Sequence, residues 1–441
     1  MDALVQHSTD GRTSALGGVL RPFQEQGMAY ALDKRRCFIA DQMGLGKTCQ
    51  ALAAVEAAEA YPAVVICPAT LKLNWKAEAE KWLPHRRVEV LNGIKPSFCD
   101  PHEIVIVNYD IVHAWADYLQ PHSVILDESH YCKSTSARRT IASLRVAEKV
   151  PRDGLRLLLT GTPILNHTQE LVAQLMILDR LAEFGGEFEF IRRYCKIKRF
   201  EVPTRYGPRK VEQFYGGQNV EELNRRLRET CLIRREKADV LSELPPKQRA
   251  TLLISGDKSK MEEYRSAELN DPTIATLAVM RRLLGEAKVP ACVEWLKNAT
   301  EPVVVWCHHR AVGEALASEL DAPAIRGGMK DHEKQAAVDA FQAGRARHIV
   351  CSIQAAGVGL TLTAASDELF VEQAWTPALL EQAEDRCHRI GQQNAVTCWY
   401  ASVPGTIDEY VFKLLRRKKD VVQGVTEARF ALELLKEVRR G

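Results

Sequence analysis

Residues 39–60 read IADQMGLGKTCQALAAVEAAEA. An apolar run, Cys37 to Ala40, enters a turn that carries Gly44 and Gly46, and an alanine-rich helical pattern leaves it near Lys47. In a strand–turn–helix of this kind, backbone N–H groups and the positive end of the helix face phosphate oxygens. Lys47 then reaches the β and γ phosphates, and the Thr48 hydroxyl reaches Mg²⁺. The full pattern G-x-x-x-x-G-K-[ST] asks for a glycine where Asp41 stands, so an ordinary turn with a solvated lysine is the alternative for this stretch taken alone.

The chain around it has 441 residues, 46% of them hydrophobic, enough for two or three well-filled cores. Sixty Lys and Arg oppose 57 Asp and Glu, a net charge of +3, so a nucleic-acid partner would have to be held by local basic patches. The 12 cysteines form no C-x-x-C, and several sit in strand-like runs such as AVVICP (63–68) and RHIVCS (347–352), as buried reduced thiols do. No zinc spacing occurs, and no apolar run approaches the ~20 residues of a membrane span. The first residues, MDALVQHSTDGRTSALGG, lack the basic and apolar regions of a signal peptide, so the expected location is a cytosol-like compartment, or the nucleus in a eukaryote.

Short apolar strand patterns alternate with helical patterns twice, as in stacked βαβ units on parallel sheets. The first series is CFIAD, AVVICP, EIVIVNYD, SVILDE and LRLLLTGT; the second is PVVVWCHH, APAIRG, RHIVCS, ELFVEQ and AVTCWYASV. The expected organisation is an extension (1–19), a first α/β lobe (20–164) and a helical, basic insertion with linker (165–245). A helical lead-in (246–300), a second lobe (301–405) and C-terminal helices (406–441) follow.

SVILDESHYCK places Asp127 and Glu128 at the carboxyl end of a strand, where open parallel sheets bind ligands. Asp127 suits a water-mediated hold on Mg²⁺ and Glu128 the polarisation of an attacking water; a pair of solvated acids is the alternative. LLLTGTPILN ends another strand with Thr160, Gly161 and Thr162, small residues able to sense the metal site. In EQAEDRCHRIGQ, Arg386 and Arg389 stand three apart and would leave one face of a helix, as arginine fingers or as surface ion pairs. Residues 192–210, RRYCKIKRFEVPTRYGPRK, hold eight Lys or Arg and one acid, with Tyr194, Phe200 and Tyr206 between them. Arg192, Arg193, Lys196, Lys198 and Arg199 are candidate DNA phosphate contacts, with a solvated basic loop as the alternative. KLLRRKK (413–419) reads as a charged helix face, a DNA contact or a targeting signal.

Taken in order, LRPFQ (20–24), DQMGLGKT (41–48), DESH (127–130), LTGTP (159–163), RREKADVLSELPPK (234–247), AAGVGLTL (355–362) and QAEDRCHRIGQ (382–392) resemble the motifs of Swi/Snf-family motors, DNA-dependent ATPases of helicase-like superfamily two. VVVWCHHR and EAKVPACVEWL are most similar to the annealing-helicase branch. The resemblance implies two tandem RecA-like lobes, ATP and Mg²⁺ as cofactors, and a monomer on double-stranded or branched DNA, with room for a protein recruiter and no membrane. It implies Gln24 on adenine, Gly44, Leu45, Gly46, Lys47, Thr48 and Gly359 at the nucleotide, Thr48 and Asp127 on the metal, and Glu128 on the water. Arg386 and Arg389 would reach the γ-phosphate. An acidic residue at the position of Asp41 is common in that family. Three residues depart from its pattern: Ser129 for alanine, Ala356 for glycine and Thr361 for asparagine, the last two in a motif that couples DNA to ATP. The function implied is translocation on duplex DNA that remodels or anneals it without strand separation. A strand-separating DNA or RNA helicase and a nucleotide-gated DNA clamp are the rivals.

Overall fold

A computed structural model describes residues 16–96, 103–161, 168–204, 207–268, 273–356, 360–374 and 377–411, together with Leu434. It divides into two compact units that part between Val240 and Leu241, inside the segment expected to close the first lobe.

The first unit is built on a parallel sheet. Its strands are β1 (Arg36–Ile39), β2 (Ala63–Cys67), β3 (Val88–Val90), β4 (Ile104–Asn108), β5 (Ser123–Asp127), β6 (Leu155–Leu159) and, further along the chain, β9 (Leu232–Ile233), in the order β3-β4-β2-β5-β6-β1-β9. Every residue of β2 and β6 is buried, the mark of strands covered on both faces, which explains why they read as continuous apolar runs. The register aligns Ile39 with Leu159, and Leu159 with Asp127, so three strand ends finish at one level. The loop after β1, Thr160 after β6 and Glu128 after β5 therefore emerge side by side.

Between β6 and β9 lie β7 (Cys195–Thr204) and β8 (Gly207–Gly217), a separate antiparallel ribbon. The sequence reading made residues 165–245 helical; helices do flank the ribbon, at Gly186–Tyr194 and Val220–Thr230, but its centre is strand. Pro203 opposite Pro208 shows why: neither can donate to a ladder, and both are tolerated in a two-stranded ribbon, where each strand has an open edge.

The second unit carries β10 (Lys247–Leu253), β11 (Val303–Cys307), β12 (Ala324–Ile325), β13 (His348–Ser352), β14 (Asp367–Phe370) and β15 (Val396–Ser402), all parallel, in the order β10-β15-β14-β11-β13-β12. β10 was read as part of a linker and a helical lead-in. It is an edge strand whose alternating exposure and four polar residues hide it among loop-like sequence. The lead-in is otherwise helical, with Lys258–Glu268 and Ile274–Asn298. Residues 407–411 begin a helix; of the following segment, including KLLRRKK, only Leu434 is among the described residues, buried beside Tyr264, Leu277 and Ile407. No helix among the described residues is long and apolar enough to cross a membrane, and their cysteines are free and buried.

Candidate nucleotide site

The loop between β1 and the helix Lys47–Ala57 depends on glycine. Gly44 and Gly46 have φ of 85° and 76°, in the left-handed region that costs side-chain-bearing residues energy. A Cβ at Gly46 would also lie 2.5 Å from Gln24 Nε2. Gly46 caps the helix without a side-chain acceptor, so the first-turn N–H groups keep their capacity for an anion. Gln24, buried in the helix Pro22–Lys34, donates from Nε2 to the Leu45 carbonyl at 3.2 Å, and its Oε1 accepts from the Arg21 N–H at 2.9 Å. Lys47 donates from Nζ to the Asp41 carbonyl at 2.9 Å. Burial pulls its ammonium below the usual lysine range, against the opposing pull of Glu128, Asp41 and Asp127. Thr48 follows in the first turn, half-buried.

Asp41, the residue that breaks the glycine pattern, is fully buried and works as a strut. Its Oδ1 accepts from the Arg235 backbone N–H and Nε, both at 3.0 Å. Its Oδ2 accepts from Gln50 Nε2 at 3.0 Å and from an Arg235 Nη. Arg235 also reaches Gln50 Oε1 at 2.8 Å and the Phe23 carbonyl. Arg234 beside it donates to the carbonyls of Ala40, at 3.1 Å, and Gly161, at 2.9 Å. The segment after β9 thus braces the phosphate loop from behind. Sequence reasoning quoted these arginines without giving them a task; the missed signal was that a buried acid needs a buried cation. Arg235→Ala is expected to destabilise the first unit by about 3–5 kcal/mol, because it leaves the Asp41 carboxylate buried and short of donors. Denaturant unfolding would measure this, and wild-type stability would contradict the strut.

At the end of β5, Asp127 Oδ2 accepts from Trp75 Nε1 at 2.8 Å and Oδ1 from the Glu128 N–H at 3.0 Å, while Tyr109 donates to the Asp127 carbonyl at 2.8 Å. Burial first, and then Glu128, push the Asp127 carboxyl up to about 6. Glu128 itself sits at φ 49°, ψ 52°, a left-handed conformation rare for a residue with a side chain. Ser129 Oγ donates to Gln174 Oε1 at 2.7 Å, both side chains buried. The hydroxyl that departs from the family alanine therefore has a partner. His130 Nδ1 lies 3.4 Å from Glu128 Oε2, and burial pushes this imidazole down to about 4, so it is neutral at pH 7. Thr160 is buried beside Ile39, and the α-carbon of Gly161 backs onto the loop: a Cβ there would meet Met43 Cγ at 2.8 Å and Lys47 Nζ at 3.9 Å. Thr162 lies outside the described residues. The fold has thus gathered Gln24, the glycine loop, Lys47, Asp127 and Glu128 at one edge of the first unit.

In the second unit the helix Pro377–Glu384 stops before the arginine pair, and residues 385–390 form irregular turns. The expected single helix face is therefore corrected: Arg386 N bonds the Ala383 carbonyl and Arg389 N the Cys387 carbonyl, neither an α-helical bond. The two guanidinium groups still converge. Arg389 Nη1 donates to the Leu360 carbonyl at 3.1 Å and to Thr361 Oγ1 at 2.9 Å, and Arg386 Nη1 reaches the same Leu360 carbonyl at 3.5 Å. Arg386 is buried. Thr361, the other departure with a visible partner, takes part in this contact; Gly359 lies outside the described residues.

The basic run divides between two environments. Arg192 pairs with Glu189 at 2.6 Å and Arg193 with Glu222 at 2.9 Å, and Tyr194 is fully buried with its hydroxyl donating to Glu222 at 2.8 Å. Tyr194 is thus a core aromatic, out of reach of a base. Lys196 and Lys198 are exposed on β7. Arg199 and Phe200 lie on the same strand, and Tyr206 lies outside the described residues.

Residues 21–308 match the family model of the SNF2-related domain, and residues 287–391 match the helicase conserved C-terminal domain. Curated relatives include the mouse DNA annealing helicase and endonuclease ZRANB3, 33% identical over 93% of this chain and 41% of that protein. Another is the Caenorhabditis elegans homologue of SWI/SNF-related matrix-associated actin-dependent regulator of chromatin subfamily A-like protein 1, 33% identical over 92% of this chain and 62% of that protein. The chain thus spans about two to three fifths of the length of these relatives. Among solved structures, the Sulfolobus solfataricus SWI2/SNF2 ATPase core in complex with double-stranded DNA aligns over 97% of both chains, with a TM-score of 0.46 and 22% identity. With the family model matching well over half its length, and with the glycine-loop and acidic motifs assembled at the carboxyl ends of neighbouring strands, this chain belongs to the SNF2-related family of helicase-like, DNA-dependent ATPases.

Proposed function

We propose that this chain hydrolyses ATP to step along duplex DNA, remodelling or annealing the DNA without holding its strands apart. The observation that carries the reading is the level alignment of Ile39, Leu159 and Asp127, which sets the phosphate loop and the acidic pair side by side. Lys47 and the first-turn N–H groups hold the β and γ phosphates, with Gly44, Leu45 and Gly46 shaping the loop and Gln24 facing the adenine. Thr48 and Asp127 are the residues that fit Mg²⁺, which when bound supplies charge neutralisation at the phosphates. Glu128 orients the attacking water and accepts its proton. Arg386 and Arg389 complete the γ-phosphate contacts, and Gly359 contributes to binding the nucleotide.

This assignment has a pH signature. Asp127 holds its proton up to about 6 and must lose it to hold a metal, so apparent Mg²⁺ affinity for ATP turnover should fall as pH drops through that value. A Mg²⁺ requirement that is flat across this range would remove Asp127 from the metal.

DNA as the partner rests on the family, on relatives named as annealing helicases and on the basic ribbon. Arg192, Arg193, Lys196, Lys198 and Arg199 remain the proposed phosphate contacts, with Lys196 and Lys198 exposed on the ribbon itself. Changing both lysines to Gln should weaken binding to any DNA sequence and flatten the log–log salt slope by about 0.9 for each phosphate no longer neutralised. An unchanged slope would make the ribbon an ordinary solvated element. ATPase rates without nucleic acid, with RNA, with duplex and with forked DNA test the function as a whole: stimulation by duplex or forked DNA over RNA is expected, and equal rates in all four would defeat it. One element favours the strand-separating rival, since β7–β8 is a ribbon joined to no other sheet, the shape a wedge would have.

A further inference from the structure

Just beyond the arginine-bearing turn lies a charge network for which neither composition nor motif gives a reason. Glu384, fully buried, is the residue two before Arg386. Its Oε1 accepts from Arg249 Nε at 2.6 Å and from the Tyr400 hydroxyl at 2.6 Å; its Oε2 accepts from Lys247 Nζ at 2.9 Å and Arg249 Nη2 at 2.8 Å. Lys247 also donates to Asp385 Oδ1 at 3.1 Å. His388, between the two arginines, donates from Nε2 to the Pro245 carbonyl at 2.8 Å. All these donors to the two carboxylates come from the neighbouring strands β10 and β15, which are paired over seven residues from Lys247–Val396 to Leu253–Ser402.

Such a network is an inefficient way to gain stability. A buried ion pair roughly balances its own desolvation, and well-packed apolar side chains would serve as well or better. What it supplies is position. In the turn after Glu384 the N–H groups of Asp385 and His388 keep i→i−4 bonds to Glu381 and Glu384, but those of Arg386 and Arg389 do not, so helical bonding alone does not set the two guanidinium groups. A multidentate carboxylate held from a paired strand fixes them within the few tenths of an ångström that transition-state contacts require. Burial alone would raise the Glu384 carboxyl, yet Lys247 and Arg249 overcome it and hold the group ionised, at about 2.

We propose that Lys247 and Arg249 are positioning residues for Arg386 and Arg389: from the first strand of the second unit they clamp Glu384 and Asp385, and so set the turn that aims both arginines at the γ-phosphate. The proposal rests on the reading of those arginines as γ-phosphate contacts. It makes the strand that follows the linker part of the hydrolytic machinery, acting through Arg386 and Arg389.

The test measures kcat and KM for ATP with saturating duplex DNA, ATP binding and thermal unfolding, in Arg249→Ala, Arg249→Lys and Tyr400→Phe. Each is made in the wild-type and the Arg386→Lys background. Arg249→Ala should lower kcat by about 10- to 100-fold, the scale of an ångström-level misplacement, with ATP affinity within about threefold. Arg249→Lys should restore part of the loss. Tyr400→Phe, which deletes one hydroxyl and no charge, should lower kcat by about threefold with an unchanged melting curve; it serves even if Arg249→Ala fails to fold. In the Arg386→Lys background these effects should shrink to the part that the clamp exerts through Arg389. Wild-type kcat in Tyr400→Phe and Arg249→Ala, or equal losses in both backgrounds, would overturn the clamp. A wild-type rate in Arg386→Lys alone would instead overturn the finger reading, and the clamp with it.

Discussion

Glu128→Gln and Lys47→Ala are each expected to abolish steady-state ATP hydrolysis while leaving duplex DNA binding within about twofold of wild type. The glutamate variant keeps the shape and the polar character of the side chain, so the strained backbone at Glu128 and its neighbours have no reason to move. What it loses is the carboxylate proposed to accept the water's proton, a role whose removal costs about 10²–10⁴ in rate. Lys47→Ala removes a cation that feels the charges of Glu128, Asp41 and Asp127, and with it the charge proposed to neutralise the β and γ phosphates. Neither variant should unfold the first unit, since the Asp41 carboxylate is carried by Arg235 and Gln50, whereas Lys47 donates its hydrogen bond to the Asp41 carbonyl. The loss should therefore appear in turnover with an unchanged melting curve. Wild-type ATPase rates in either variant would remove that residue from the chemistry, and a parallel collapse of DNA binding would point to a folding defect.

Arg386→Ala should also give a large loss, about 10³–10⁵ in kcat, the range an arginine finger supplies. ATP affinity should stay close to wild type, because the phosphate loop, Gln24 and Lys47 all belong to the first unit. The split between kcat and binding is diagnostic: a group that acts only on the transition state lowers kcat alone, whereas one that binds the ground state raises the dissociation constant. Arg386 is buried and faces the Leu360 carbonyl, so the alanine variant also leaves a small void; a melting curve separates that cost from the catalytic one. A loss of ATP affinity as large as the loss of rate would place Arg386 in ground-state binding.

What was legible in the sequence follows from burial. The ten strands read from the sequence all occur, and those covered on both faces advertise themselves by runs of Val, Ile and Leu; β12, two residues at a sheet edge, does not. The strands that were missed carry no such run. β3 and β9 are two or three residues long, β10 alternates apolar with polar at a sheet edge, and β7–β8 is rich in charge and proline. The site was legible where one short motif supplies it, as at Gly44 to Thr48 and at Asp127 and Glu128. It was illegible where partners are far apart in the chain. Arg235 is 194 residues from Asp41, and Arg249 is 135 residues from Glu384, so neither pairing leaves a local signature. The arginine pair shows a third case. Spacing of three suggested one helix face, yet the helix ends at Glu384 and the two groups converge through an irregular turn that no periodicity predicts.

The central claim is movement along an intact duplex, and displacement of a third strand from a DNA triplex measures it most directly. The protein is loaded on a duplex flank, ATP and Mg²⁺ are added, and release of the labelled third strand is followed beside a second substrate, a plain duplex with a single-stranded tail. Third-strand release that depends on ATP, is absent in Lys47→Ala and occurs without separation of the tailed duplex is the predicted result. Efficient ATP-driven separation of the tailed duplex, with the triplex left intact, would contradict it and make the chain a strand-separating helicase with β7–β8 as the candidate wedge.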